Sequence, residues 1–128
     1  MTVNQKRFVH LKVRSHYSIL EGSMKVADIV ESAKKMRMPA IALTDNTNVF
    51  GAMEFTTLCL NSGIQPIIGC ILRVNTDNTN HNIAQSLKEY NFEITLLVKD
   101  NDGWKNLSSL ISKAYYDYKN KGSKCINL

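Results

Sequence analysis

The residues best suited to chemistry lie in Phe8–Ser18, FVHLKVRSHYS. Read as a strand, with side chains alternating between two faces, the segment sets Val9, Leu11 and Val13 on one side and His10, Lys12 and Arg14 on the other. Imidazoles at all three polar positions would make a row of metal ligands. Lys12 and Arg14 cannot serve, because neither offers a lone pair at neutral pH. The row carries positive charge where a metal site would carry donors. His16, just beyond it, is expected on the surface.

A row of this kind needs elements to hold it. The strand at about Phe8–Val13 leads into a loop, Ser15–Ser23, that contains Glu21-Gly22. A helix is predicted over about Met24–Met36, with Val26, Ile29, Val30 and Ala33 on its apolar face and Lys34, Lys35 and Arg37 in its last turn. Pro39 is expected to stop it. Ala40–Leu43 is a continuous apolar run, the pattern of a parallel strand buried on both faces, and Thr44–Asn48 reads as the polar loop at its end. A second helix over about Phe50–Asn61 ends near Gly63 as C-cap.

The strand Pro66–Val74 follows. Residues 75–90 are rich in Asn and read as a flexible loop. Phe92–Val98 is the next strand, and Asn101 or Asp102 is expected to cap a helix over about Gly103–Tyr118. Its stripe of Trp104, Leu107, Ile111, Ala114, Tyr115 and Tyr118 reads as core packing. Residues 119–128 read as a disordered tail. Strands separated by helices imply parallel pairing through right-handed crossovers, and such folds gather their sites at the strand C-termini. The 128 residues suit one α/β unit with no internal repeat.

Composition excludes several classes. The chain is 44% apolar and 21% charged, so it can bury a core. It has no run of 18 apolar residues that would span a membrane, and MTVNQKRF lacks the apolar centre of a signal peptide. A cytoplasmic location is expected. Cys59, Cys70 and Cys125 are an odd number without metal-type spacing and read as reduced thiols. The net charge is +5, with Lys113, Lys119, Lys121 and Lys124 near the C-terminus; a solvated basic tail is the simpler reading of these than a nucleic-acid patch.

Four segments in register carry a resemblance: FVHLKVRSHYSILEGS at 8–23, PAIALTDNTNVFGAMEF at 39–55, GIQPIIGC at 63–70 and ITLLVKDNDGWKNLSSLISKAYY at 94–116. They resemble the start of the PHP (polymerase and histidinol phosphatase) domain of bacterial replicative DNA polymerase III alpha subunits. The resemblance implies the N-terminal part of a distorted βα barrel, with parallel strands and outer helices. Active members of that family hold a metal cluster and hydrolyse phosphoesters.

In metal-binding polymerase relatives the first strand carries His-X-His-X-His, the second ends Thr-Asp-His, the third segment ends Gly-X-Glu, and the next strand opens with a histidine. Here His10 stands at the first of these positions, and Lys12 and Arg14 replace the next two histidines. Asp45 is retained, and Asn46 replaces its histidine neighbour. Ile71 stands at the glutamate and Glu93 at the following histidine. Zinc and manganese need several deprotonated N, O or S donors converging in one place, so no native cluster is expected. Lys12 or Arg14 is expected to take the place of the metal by pairing with Asp45 and Glu93.

The resemblance thus implies a polymerase segment that acts as a scaffold and does not itself polymerise. Magnesium would be needed only by a downstream polymerase domain. The implied partners are the rest of the alpha subunit, the proofreading exonuclease and, through the parent, DNA. The competing readings are a stand-alone metal-dependent PHP phosphoesterase, which the ligand losses oppose, and a small α/β interaction module. The end YYDYKNKGSKCINL reads as the edge of a longer piece, so an isolated half-barrel is expected to self-associate through exposed strand edges and apolar surface.

Overall fold

The computed structural model describes residues 8–75, 91–121 and 125–127, with side chains for 8–74 and 92–116. The side chains of Tyr118, Cys125 and the lysines from Lys119 onward lie outside that description, as do residues 76–90 of the loop expected over 75–90; Asn75 is a strand residue.

Among the described residues seven elements follow in order: α1 (Val26–Lys35), β1 (Ala40–Asn46), α2 (Ala52–Asn61), β2 (Gln65–Asn75), β3 (Asn91–Leu97), α3 (Asn101–Lys121) and β4 (Cys125–Asn127). β1 and β2 pair in parallel, from Ala40 opposite Gln65 to Asn46 opposite Ile71. β3 lies on the other edge of β2 and is antiparallel, against the expectation of parallel pairing throughout. An antiparallel neighbour needs no crossover connection. β4 pairs in parallel with Arg73–Asn75 of β2, where the sequence suggested only a tail.

Register and alternation sort the sheet into two faces. Ile41, Leu43, Ile68, Cys70 and Leu72 share one face, and all three helices pack there. Val26, Ile29, Val30 and Ala33 of α1 meet Ile41, Leu43, Phe55 and Cys59 in one cluster. Leu107 and Ala114 of α3 meet Cys70 and Leu72 in a second. Asn46, Ile71, Arg73 and Glu93 share the opposite face, because Asn46 lies across from Ile71 and Arg73 across from Glu93. Gly69 lies on that face too. A Cβ there would collide with the Leu96 carbonyl and with Thr44 Cγ2, so the strands approach closely only because it is glycine.

Both early helices end in the same hydrogen-bonded cap. In α2, Gly63 N donates to Leu60 O at 3.1 Å and Ile64 N to Cys59 O at 2.9 Å. In α1, Arg37 N donates to Lys34 O and Met38 N to Ala33 O, both at 3.0 Å. These are Schellman motifs, whose C′ residue takes a left-handed conformation. Gly63 does so at φ 70° without cost, whereas Arg37 does so at φ 52°. Helix α1 therefore stops at Lys35, before Pro39. The cap of α3 also differs from expectation: Asp100 Oδ1 accepts from Gly103 N at 2.8 Å, one residue before Asn101, the nearer of the two candidates.

The expected first strand is the main departure. Residues 8–15 run beside the free edge of β1 without forming a regular ladder. Ala42 N donates to His10 O at 2.9 Å and Thr44 N to Val13 O at 2.8 Å. Three steps on one side thus match two on the other, which inserts an extra residue in the manner of a β-bulge. Val13 N donates instead to the Thr44 hydroxyl at 2.9 Å. The bulge breaks the alternation, and Leu11 is 48% exposed, not turned inward.

Candidate functional site

The loop after the bulge is built around one carboxylate. Asp45 is 1% exposed. Ser15 N donates to Asp45 Oδ1 at 2.7 Å and Ser15 Oγ to Oδ2 at 2.8 Å. Ser18 Oγ donates to Oδ1 at 2.6 Å and accepts from Asn46 N at 3.0 Å. Ser15 Oγ also accepts from Tyr17 N at 3.2 Å. Three neutral donors thus satisfy a buried anion without a cation. The loop closes on itself, since Glu21 N and Gly22 N both donate to Ser18 O. A Cβ on Gly22 would collide with the Ser15 carbonyl, which explains the glycine at this position. Asn48, 4% exposed, ties the start of α2 to the same loop. Its amide nitrogen donates to Tyr17 O at 3.1 Å and its Oδ1 accepts from Phe50 N at 3.2 Å.

The cations meet a different carboxylate. Arg14 Nη2 lies 3.0 Å from Glu93 Oε2, and Lys12 Nζ lies 3.7 Å from the same oxygen. Glu21 forms a second centre: Arg14 Nε approaches it at 3.6 Å, Arg73 Nη2 at 3.3 Å, and Asn46 Nδ2 donates to it. Arg14 Nε is buried and has no hydrogen-bond partner, being held by charge alone. Three cations and two carboxylates therefore lie side by side, half-buried, on the face opposite the helices.

The expected pairing of Lys12 or Arg14 thus holds for Glu93 and fails for Asp45. The reason is the length of β1, which continues through Asn46 instead of giving way to a loop after Leu43. Alternation then sends Asp45 to the helix side with Cys70, and Asn46 to the side of Ile71, Arg73 and Glu93. Ile71, 1% exposed, fills the sheet beside the charges. His10 is exposed and stands apart, its ring edge-on to Phe8 at 4.7 Å. His16 is exposed, as expected, with its ring 4.3 Å from that of Tyr17.

Four partners were not singled out from sequence: Ser15, Ser18, Glu21 and Arg73. Arg73 had a signal, as the lone charge in an apolar strand, two residues from Ile71 and so on its face. The serines had a weaker one, two hydroxyls three residues apart just after the row of cations.

The donor set does not fit a metal. Lys12, Arg14 and Ile71 offer no lone pairs, the Asn46 amide is engaged with Glu21, and both oxygens of Asp45 are taken by serines. Among the described residues no group of three or more His, Cys, Asp or Glu could hold a metal ion. Burial pushes the Cys59 and Cys70 thiols up to about 11, so neither is a ready thiolate ligand or nucleophile.

The profile of the PHP domain matches residues 10–127. The chain belongs to the PHP domain family. Within that family it is similar to proteins named DNA polymerase III subunit alpha. It is 37% identical over 113 residues to that of Buchnera aphidicola subsp. Acyrthosiphon pisum, a stretch that is 88% of this chain and 9% of the relative. It is 38% identical over 110 residues to that of Treponema pallidum, 86% of this chain and 9% of the relative. It is 38% identical over 113 residues to that of Escherichia coli K12, again 88% and 9%.

Solved structures support the PHP fold. An amidohydrolase from Chromobacterium violaceum superposes with a TM-score of 0.60 at 18% identity, covering 85% of this chain and 33% of that one. A protein described as a metal-dependent phosphoesterase from Bifidobacterium adolescentis gives 0.59 at 15%, covering 91% and 36%. The chain therefore forms part of a PHP-type barrel. Among the described residues no helix is long and apolar enough to cross a membrane.

Proposed function

We propose that this PHP segment serves as a scaffold within a replicative DNA polymerase alpha subunit, and that its metal site has been replaced by an ion-pair network. The contact of Arg14 with Glu93 at 3.0 Å carries the reading. It sets a guanidinium among the residues that correspond to ligands in metal-binding relatives. A cation there repels a divalent metal and neutralises the carboxylate that would otherwise attract one. The matched stretch is 9% of the polymerase relatives, so DNA synthesis would belong to a longer subunit, with magnesium held by its polymerase core. That core and the proofreading exonuclease are the partners such a scaffold would brace, in the cytoplasm.

Elemental analysis of the purified chain, coupled to hydrolysis of p-nitrophenyl phosphate, tests this. Zinc and manganese well below one equivalent, with no turnover after either metal is added back, are expected. Stoichiometric metal with turnover would instead establish the stand-alone phosphoesterase.

A further inference from the structure

The loop anchored by Asp45 and Glu21 carries two aliphatic residues at its tip. Ile19 is 82% exposed and Leu20 is 100% exposed. Leu20 also sits at φ 68°, a left-handed backbone conformation that leucine rarely adopts. The surrounding hydrogen bonds leave it no choice: Ser18 O holds the amides of Glu21 and Gly22, and Ser18 Oγ is bound to Asp45. The fold therefore keeps a strained backbone that holds a leucine in water. Strain of this kind, enforced by its surroundings, marks a functional position more often than a packing one.

The tip does not stand alone. Ile19 lines a cleft of about 220 Å³ together with Tyr17 and Phe50, and the Tyr17 and Phe50 rings meet edge to face at 6.5 Å. Phe50 is 67% exposed, and Met53, three residues on, is 80% exposed. The same chain thus presents an apolar projection next to a recess of mixed lining, aromatic at Tyr17 and Phe50 and polar at Glu21, Asn46, Asn48 and Arg73.

We infer that this surface docks a second copy of the chain. A projection beside a recess is self-complementary under a two-fold axis, which an isologous dimer requires. Covering Ile19, Leu20, Phe50 and Met53 on both copies would remove roughly 1,200 Å² from water, at the lower end of specific interfaces. Arg73 is paired with Glu21, and Glu54 accepts from the neutral Tyr17 hydroxyl. Ile19, Leu20, Phe50 and Met53 are themselves uncharged, so burying them against a second copy brings no like charges together within the patch, although the chain as a whole carries +5. A nucleic acid would favour a basic rim instead.

Sedimentation equilibrium of the 128-residue chain tests the inference. A dimer whose population rises between about 5 and 500 µM, and which persists in about 1 M NaCl, is expected for an apolar interface. Leu20→Ser should weaken the dimer about tenfold or more. Leu20→Gly should weaken it equally while melting no lower than wild type, because glycine relieves the left-handed strain. Three results would overturn the inference: a monomer at every concentration, a dimer indifferent to both variants, or a monomer that binds a relative's DNA polymerase III alpha subunit through Leu20. None of them bears on metal content, so the scaffold reading stands or falls separately.

Discussion

Arg14 and Glu93 lie 79 residues apart in the chain and meet at 3.0 Å across the sheet. Asp45, also expected to pair with a cation, is instead held by the neutral hydroxyls of Ser15 and Ser18. The two carboxylates consequently differ in what stabilises them. One depends on charge at a half-exposed site and the other on hydrogen bonds in a dry one. That difference separates them by salt.

Glu93→Gln removes the Arg14 and Lys12 pairs. Because Glu93 is 35% exposed, the loss is expected to be at most about 1 kcal/mol. It should shrink toward zero in about 1 M NaCl, where exposed charges are screened. Thermal melts of wild type and variant at low and high salt check this. An undiminished difference at high salt would contradict the electrostatic origin.

Asp45→Ala strands the Ser15 amide and both serine hydroxyls in a buried place. A loss of about 2–4 kcal/mol is expected, given about 1–3 kcal/mol for an unsatisfied buried group. Salt should leave it unchanged, since no cation is involved. Ser18→Ala removes one donor to Asp45 and orphans the Asn46 amide, for a loss of about 1–3 kcal/mol. Denaturant titration at two ionic strengths measures both.

Arg37→Gly is expected to stabilise the chain by about 0.5–1 kcal/mol, visible as a higher melting temperature. Arg37 occupies the same C′ position as Gly63 with the same hydrogen bonds, but bears the steric cost of a Cβ at positive φ. The reverse change, Gly63→Ala, should cost a similar amount through the backbone alone, since nothing lies within 4 Å of the added carbon.

Cys59 and Cys70 are buried, with thiols pushed up to about 11 by desolvation. In a Cys125→Ser variant, a thiol reagent at about pH 8 should label neither until denaturant is added. The folded chain holds these protons more tightly than the unfolded chain, whose thiols ionise near the ordinary value. Their contribution to stability is therefore complete below about pH 8.5 and is lost as pH rises toward 11. Native-state labelling at about pH 8 would show the burial to be looser than described.

Glu21→Ala frees Arg73, the Asn46 amide and the Nε of Arg14, whose Nη2 keeps its contact with Glu93. Amides of residues 18–22 should exchange faster in the variant, while those of β1 and β2 hold their protection. A cycle with Arg73→Ala should show coupling of about 0.5 kcal/mol or more.

Local rules made much of the molecule legible. The spacing of Val26, Ile29, Val30 and Ala33 alone identifies the buried face of α1. The apolar run at Ala40–Leu43 marks a strand with a parallel neighbour, and Gly63 marks the end of α2. Lys12 and Arg14 rule out a metal row by their chemistry, whatever the fold around them. Each of these depends on nearby residues or on a side chain's own atoms. The tertiary structure decided the rest. Whether the cations meet Asp45 or Glu93 turns on how far β1 extends and on its register with β2 and β3, because one step along a strand exchanges the two faces. The bulge opposite Thr44 and the turn at Leu20 arise in the same way. In each, hydrogen bonds to other parts of the chain outweigh what the residue would choose alone.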